Sequence, residues 1–271
     1  MEEAVLAVTV GTLNLASGRG RHGVPLDRRA LGAALGPLAD LPVDVLCLQE
    51  VDVGQPRSHH LDQARVAAQA IGATSWRFAP TLAGTPSPWR TWTRAIPQLL
   101  GDGIQAGVPP LFGNALLSRS VVRRWHVLGL TGSRARLPVR APDPRYGSES
   151  WWWIPDEPRV AIAAELDGVT VVSAHLSFWP PAALRQLLRL QSWLRSLPAP
   201  VVVAGDLNLP GAVPTAVLRG HRLVRSPTYP AAGPRVQLDH VIGLGGLGAL
   251  SSGVRRLDVG DHLAAWARLA L

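Results

Sequence analysis

The sequence predicts a layered α/β domain with mixed sheets, and three observations carry that reading. Five near-continuous apolar runs rich in β-branched residues recur along the chain, the pattern of strands covered on both faces. Segments with an apolar stripe at helical spacing lie between them. A sixth run, "RVAIAAEL" (159–166), passes through an Asp-Gly pair straight into the next, which reads as a tight antiparallel hairpin. Alternation of strands with helices gives layers, and the hairpin makes the pairing within a layer mixed.

Taken in order, the elements are as follows. "AVLAVTVGTLNL" (4–15) is the first strand, and "LDRRALGAALGPLADL" (26–41) a helix. "VDVLCLQEV" (43–51) is a second strand, followed by a helix in "LDQARVAAQAIG" (61–72) and a strand in "GNALLS" (113–118). After the hairpin strands, 159–166 and "VTVVSAHLS" (169–177), comes the clearest helix, "AALRQLLRLQSWLRSL" (182–197). Its leucines 184, 187, 188, 190, 194 and 197 form a stripe opposite Arg185, Arg189, Gln191, Ser192 and Arg195. Prolines at 180 and 181 start it and Pro198 ends it. "VVVAGDLNL" (201–209) is the last strand assigned. Residues 80–111 and 131–158, rich in Pro, Gly and Trp, remain unassigned, and loops of that length are usually functional. With no linker, repeat or second core, residues 1–271 read as one domain.

An apolar fraction of 47% and a charged fraction of 17% exclude a disordered chain. The net charge of +8 permits a polyanionic partner, but no lysine is present and all 27 basic residues are arginine. Genomic base composition accounts for such a skew equally well. The one cysteine, Cys47, lies in an apolar run and reads as a small buried hydrophobe rather than a disulfide partner. The start, "MEEAVLAV", carries acids where a signal peptide needs positive charge, and no apolar stretch reaches the ~20 residues of a membrane span. A soluble, cytoplasmic protein is the expectation.

Function is read from where the strands stop. The first ends at Asn14, the second at Glu50, the hairpin at His175, and the last at Asp206 and Asn208. "QLDHV" adds Asp239, and "VGDHLA" adds Asp261 and His262. Sites gather where strand ends converge, because the sheets hold loop-borne groups rigidly. Asn, Glu and Asp are hard oxygen donors suited to Mg²⁺ or Mn²⁺, whereas no thiolate set or paired histidines suit zinc. Asp206 and Asn208, two apart on an extended backbone, point the same way. One can orient or deprotonate a water while the other fixes it or holds a phosphoryl oxygen. His175 and His262 can donate to non-bridging oxygens or move a proton near neutral pH. These parts suit metal-assisted hydrolysis of a phosphate ester.

The ordered set "TLNLA", "LCLQEVD", "FGNALLSR", "PRVAIAAEL", "SAHLS", "GDLN", "LDHV" and "GDH" resembles the endonuclease/exonuclease/phosphatase superfamily, the deoxyribonuclease I-like fold. The resemblance implies a four-layer sandwich of two packed mixed sheets with helices outside. It also implies that Asn14 and Glu50 form a metal-binding pair with Asp261 as an acid near the metal. By the same resemblance Asp206 activates or positions the attacking water with Asn208 as its partner. His262 contacts the phosphate, Asp239 orients it, and His175 is the second phosphate-contacting histidine. Two departures stand out: the usual Ser-Asp-His ending appears as "GDHLAA", and Phe112 precedes "GN" where a tyrosine is common.

Arg159 either forks onto a phosphate or pairs with a strand-end carboxylate. Asp52 is a spare ligand or an exposed strand-end acid, "HHLD" (59–62) leads into a helix, and His22, His126, His221 and His240 have no assigned role. Trp89, Trp92 and the run Trp151, Trp152, Trp153 interleave with Arg90, Arg94, Arg140 and Arg145. They form a stacking surface for single-stranded or distorted nucleic acid, a membrane-interface contact, or a hydrophobic plug under long loops. Trp89 and Trp152 are the substrate-contact candidates. The expected activity is a Mg²⁺- or Mn²⁺-dependent nuclease. The alternatives are a phosphatase or phosphodiesterase of small or lipid-derived phosphates, such as inositol phosphates or sphingomyelin, and a non-catalytic binding module.

Overall fold

The computed structural model describes residues 7–41, 43–86, 92–101, 109–142 and 149–271. Along the chain run β1 (Ala7–Asn14), α1 (Arg28–Leu35), β2 (Val45–Val53), α2 (Gln63–Ile71), β3 (Ser75–Gly84), β4 (Trp92–Arg94) and β5 (Leu111–Ser118). Then follow β6 (Arg124–Leu130), β7 (Arg136–Pro142), β8 (Glu149–Pro155), β9 (Arg159–Glu165), β10 (Thr170–His175) and α3 (Pro180–Leu194). The chain closes with β11 (Val201–Asp206), α4 (Val213–Leu218), β12 (His221–Arg222), β13 (Asp239–Leu244), β14 (Ala249–Arg255) and β15 (Ala264–Ala270).

These strands make two sheets and a ribbon. One sheet has the order β14-β15-β1-β2-β5-β3-β4, the other β12-β13-β11-β10-β9-β6, and β7 pairs with β8 alone. Both sheets are mixed: β1 runs parallel to β2 and β10 parallel to β11, with antiparallel neighbours elsewhere. Val8, Val10, Val45, Cys47 and Leu116 of the first sheet meet Ile162, Ala164, Val171, Val202 and Val241 of the second in a shared core. Outside the first sheet, Leu31 and Leu35 of α1 and Ala67 and Ile71 of α2 pack on Leu46, Leu48 and Leu117. Outside the second, Leu187, Leu190 and Leu194 of α3 and Leu218 of α4 pack on Val172, Val201 and Val203. The result is four layers, helices–sheet–sheet–helices.

Local chemistry explains the boundaries. The Asp27 side chain accepts from Ala30 N at 2.8 Å to start α1, which then tightens into a 3-10 turn at Gly36–Leu38 around Pro37. Asp62 caps α2 in the same way, and Gly72 closes it in the left-handed conformation, φ +68°. The expected hairpin is β9–β10, turning at Gly168 with φ +78°.

The structure corrects the sequence reading in four places. The 80–111 and 131–158 segments contain regular structure: β4 lies in the first, and the β7–β8 ribbon in the second. β3, β6 and β12–β15 were not expected; of these, β15 ("AAWARLA") is alanine-rich and β14 ("ALSSGVR") is polar, so neither carries a strand pattern. α4 was missed because Val213–Leu218 is short and β-branched. On α3 the buried face includes Gln186, while Leu184 and Leu188 are exposed. The Gln186 carboxamide accepts from Ser177 N at 2.7 Å and donates to Thr131 O at 3.1 Å, anchoring the loop after β10. Among the described residues no helix is long and apolar enough to cross a membrane.

Candidate active site

Period-two alternation builds the site. On β1, Val8 and Val10 face the core between the sheets, so Thr12 and Asn14 continue the same face. On β11 that face is Val202, Ala204 and Asp206; on β10 it is Val171, Ser173 and His175; on β13 it is Val241 and Asp239. The space between the sheets therefore changes character along its length. It is apolar at one end and becomes polar at Thr12, Gln49 and Ser173, where Thr12 Oγ1 donates to Gln49 Oε1 at 3.1 Å. At the mouth it carries Asn14, His175, Asp206 and Asp239. Register aligns them, since His175 pairs with Asp206 across β10–β11 and Asp206 with Asp239 across β11–β13.

Two backbone departures aim the remaining groups. β2 shifts register between Leu48 and Val51, and Glu50 within that bulge has φ +54°. Asn208, just past β11, has φ +50°. Non-glycine residues adopt this region at a cost, and it is characteristic of sites that over-determine a side chain's direction. Close approach matters at Gly205, where a Cβ would stand 1.8 Å from Ala174 O. Only glycine lets β10 and β11 meet beside His175 and Asp206.

Asn14 joins the two sheets. Its Nδ2 donates to Glu50 Oε1 at 3.1 Å and to Asp206 Oδ2 at 3.0 Å, and its Oδ1 accepts from Ala16 N at 3.0 Å. The two carboxylate oxygens are thus no farther apart than those two bonds laid end to end. Asn208 N donates to Asp206 Oδ1 at 3.0 Å, and Asn208 Nδ2 donates to Leu176 O at 3.0 Å while lying 3.3 Å from His175 Nε2. His262 Nδ1 donates to Asp239 Oδ2 at 2.7 Å, and its Nε2 faces Asp206 Oδ2 at 3.9 Å and Asp261 Oδ1 at 4.0 Å. Thr228 Oγ1 takes Asp239 N at 3.1 Å, fixing the strand that presents the acid.

The electrostatics divide the ionisable groups by role. Burial and the charge of Asp239 push the Asp206 carboxyl up to about 7, against the pull of His262 and of hydrogen bonds from Asn14 and Asn208. Burial opposes charge on His262, but the hydrogen bond to Asp239 and the charges of Asp239, Asp206 and Asp261 together push it up to about 10. Its imidazole is therefore cationic at neutral pH. His175 is the reverse: burial, then Arg159 and His262, hold it well below the usual histidine range. A guanidinium can only donate, and Arg159 Nη1 lies 3.3 Å from His175 Nδ1, so the charge of Arg159 disfavours a proton on the neighbouring ring. Nε2 in turn lies 3.3 Å from Asn208 Nδ2, itself a donor, and 3.8 Å from Asp206 Oδ2.

The donor set fits a hard divalent cation. Asp206, Asp239 and His262 bring a polar atom each within 4.8 Å of one another; with His262 protonated, the ligand atoms are the carboxylate oxygens, and Asp239 Oδ1 is buried without a hydrogen-bond partner. Glu50 stands half-exposed beside them. Asn14 turns its amide nitrogen toward both carboxylates, so an oxygen ligand from this residue requires the amide to rotate.

The structure brings together Asn14, Glu50, His175, Asp206, Asn208, Asp239 and His262, with Asp261 at the exposed rim. Arg159 is buried behind His175, 3.6 Å from Glu157 Oε2, so it takes the ion-pair alternative and touches the imidazole instead of the open face. Asp52 is fully buried and held by Arg57 through two bonds of 2.9 and 2.8 Å, which corrects the reading of an exposed acid or spare ligand. Phe112 and Trp92 pack with Leu82 in a small core, so for Trp92 the plug reading holds. Trp89 lies outside the described residues. Trp152 is half-buried, whereas Trp151 and Trp153 are exposed. His240 is buried against Leu209 O at 2.9 Å, and Cys47, pushed up to about 12 by burial, is inert.

Tyr229 was missed. Its ring lies 4.8 Å from that of His262, and burial, then the charges of Asp261, Asp206 and Glu50, raise its hydroxyl. The only sequence signal was "TYP" shortly before "LDHV", a turn with no periodicity to mark it.

A family model described as "Endonuclease/Exonuclease/phosphatase family" matches residues 11–262. No curated protein matches the sequence. Solved structures match in fold. An endonuclease/exonuclease/phosphatase from Beutenbergia cavernae DSM 12333 is 19% identical with a TM-score of 0.64, covering 98% of this chain and 72% of its own. A mannosyl-6-phosphatase from Bacteroides thetaiotaomicron VPI-5482 is 12% identical (TM-score 0.56), over 97% of this chain and 100% of that one. Sphingomyelinase C from Streptomyces griseocarneus is 15% identical (TM-score 0.52), over 98% and 100%.

Proposed function

The chain belongs to the endonuclease/exonuclease/phosphatase family, hydrolases of phosphoester bonds, and from that premise we propose that it is a divalent-metal-dependent phosphodiesterase acting on nucleic acid. One observation favours a diester over a monoester. Among the described residues, six acids, Glu50, Asp156, Glu157, Asp206, Asp239 and Asp261, gather around three cations, the imidazolium of His262 and the guanidinium groups of Arg57 and Arg159. A monoester brings nearly two negative charges into that acid excess, a diester only one. Among diesters, the surplus of arginine favours a polyanion.

In this reading Asp206 accepts the proton of the attacking water, which Asn208 helps to place. The His262 imidazolium, held by Asp239, donates from Nε2 to a phosphoryl oxygen. His175, kept neutral by burial and by the charges of Arg159 and His262, stands beside the phosphoryl group with Asn208 at its Nε2. Glu50 and Asp206, with Asn14 between them and Asp261 at the rim, are the groups that would hold Mg²⁺ or Mn²⁺. Such an ion, when bound, supplies charge neutralisation of the phosphoryl and leaving oxygens.

The test is a panel of plasmid, oligonucleotides, RNA and phosphorylated small molecules, each with Mg²⁺ or Mn²⁺ and each repeated in EDTA. Metal-dependent cleavage of nucleic acid that disappears in Asp206→Asn supports the proposal. Release of inorganic phosphate from metabolites with nucleic acid left intact refutes it.

A further inference from the structure

The β7–β8 ribbon stands apart from both sheets, and its two faces differ. Register pairs Arg136 with Pro155, Pro138 with Trp153 and Arg140 with Trp151 on one face. Leu137–Ile154 and Val139–Trp152 occupy the other. The second face is turned inward: Leu137 is buried, and Val139, Trp152 and Ile154 are half-buried. The first is open, with Trp151 68% and Trp153 62% exposed and Arg136 and Pro138 exposed beside them. Solvent-facing tryptophans at this level are costly unless something covers them.

We infer that this face is a stacking platform that receives a single-stranded stretch of nucleic acid and leads it to the phosphoesterase site, an inference that rests on the nuclease reading above. Side chains two apart on a strand stand ~6.8 Å from each other. That is twice the ~3.4 Å between stacked bases, so one base fits between the rings of Trp151 and Trp153. Pro138, opposite Trp153, puts no long side chain in the way. Charge matches the occupant: Arg134 and Arg136 are exposed on the turn before β7 and at its start. A bilayer is the poorer occupant. The sequence between β7 and β8, "DPRYGS", offers little apolar surface, and the tryptophans sit within the strand.

The ribbon is coupled to the site at its root. Asp156, directly after β8, accepts from Ser133 N at 2.6 Å in the turn leading into β7 and from Ser177 Oγ at 2.5 Å. Ser177 lies two residues beyond His175, and Arg159, three beyond Asp156, touches the His175 ring. The ribbon that carries the tryptophans is thus anchored to the wall that carries His175.

The test is binding of a fluorescent oligothymidylate in EDTA, where nothing is cut, by the wild type, by Trp151→Ala/Trp153→Ala and by Trp151→Phe/Trp153→Phe. Hairpin duplex and phosphatidylglycerol vesicles are competitors, and thermal melting verifies folding. The inference expects the alanine pair to lose affinity for the single strand by tenfold or more and the phenylalanine pair to retain most of it. Duplex should compete poorly. Equal affinity in the wild type and the alanine pair overturns the platform, even if Mn²⁺-dependent cleavage is present. Tight, tryptophan-dependent binding without any cleavage in Mn²⁺ keeps the platform and overturns the nuclease reading. Vesicles that displace the oligonucleotide, or bind where it does not, replace the strand with a membrane and overturn the inference.

Discussion

Asp206 is buried with Asp239 across the strand pair, and burial together with the Asp239 charge pushes its carboxyl from the ordinary 3.8 up to about 7. Between those values the folded chain binds a proton that the unfolded chain has released, so stability falls as pH rises through this window. At 1.36 kcal/mol per unit the cost in the metal-free protein is about 4 kcal/mol at pH 7 and less than half of that at pH 5. Asp206→Asn removes it, because a neutral amide has no charge to desolvate. Against the gain stands one hydrogen bond: Asn14 Nδ2 and Asn208 N each donate to an Asp206 oxygen, and the amide nitrogen must face one of them. That costs about 1 kcal/mol, more if the donor stays unpaired. The net expectation is a variant that is inactive and about 3 kcal/mol more stable at pH 7 in EDTA, a rise in melting temperature of roughly 5 °C. Differential scanning calorimetry from pH 5 to 8 checks it, and the advantage should shrink toward pH 5. A variant that melts below the wild type at pH 7, or a difference that does not change with pH, refutes the reasoning.

Three further outcomes follow from the same geometry. The rate of diester hydrolysis should rise with pH as Asp206 ionises, with a bound cation moving this limb below 7, and should fall only as His262 deprotonates near 10; a pH–rate profile that declines by pH 7 contradicts this. Asp239→Asn strips His262 of its largest charge-stabilising partner, so the alkaline limb should move down by several units and activity at pH 8 should fall on the order of 10²-fold with little change in KM. Gly205→Ala drives a Cβ into the Ala174 carbonyl and should cost more than about 3 kcal/mol, whereas Gly32→Ala in α1, with open space around its Cβ, should gain about 0.5–1 kcal/mol; chemical denaturation of both separates them.

What could be read in advance depended on the element. The strands that carry the site, β1, β2, β10 and β11, are buried on both faces, so their apolar runs were legible and their polar ends conspicuous. Asp239 and His262 were found through short motifs, although the strands that present or follow them, β13 and β15, were not. β15 is alanine-rich and β14 is exposed on most of its length, so neither carries a hydrophobic signal. The environment of each group was harder. Arg159 and Asp52 are buried ion partners, and no one-dimensional pattern tells a buried arginine from an exposed one. Tyr229 comes to His262 through a turn, and turns have no period. In the ribbon, "WWW" hid a plain alternation, one half-buried ring between two exposed ones. That became visible only once a partner strand supplied the register.

The claim beneath all of this is that one pocket, lined from both sheets, hydrolyses phosphodiesters with the help of a divalent ion. Its most direct test is p-nitrophenol release from bis-p-nitrophenyl phosphate by the wild type, by His262→Ala and by Glu50→Gln, in Mn²⁺ and in EDTA. Turnover confined to the metal-loaded wild type, with both variants reduced by about 10² or more, is the expected result. No turnover by the folded wild type with either Mg²⁺ or Mn²⁺, or undiminished turnover in His262→Ala, would contradict it.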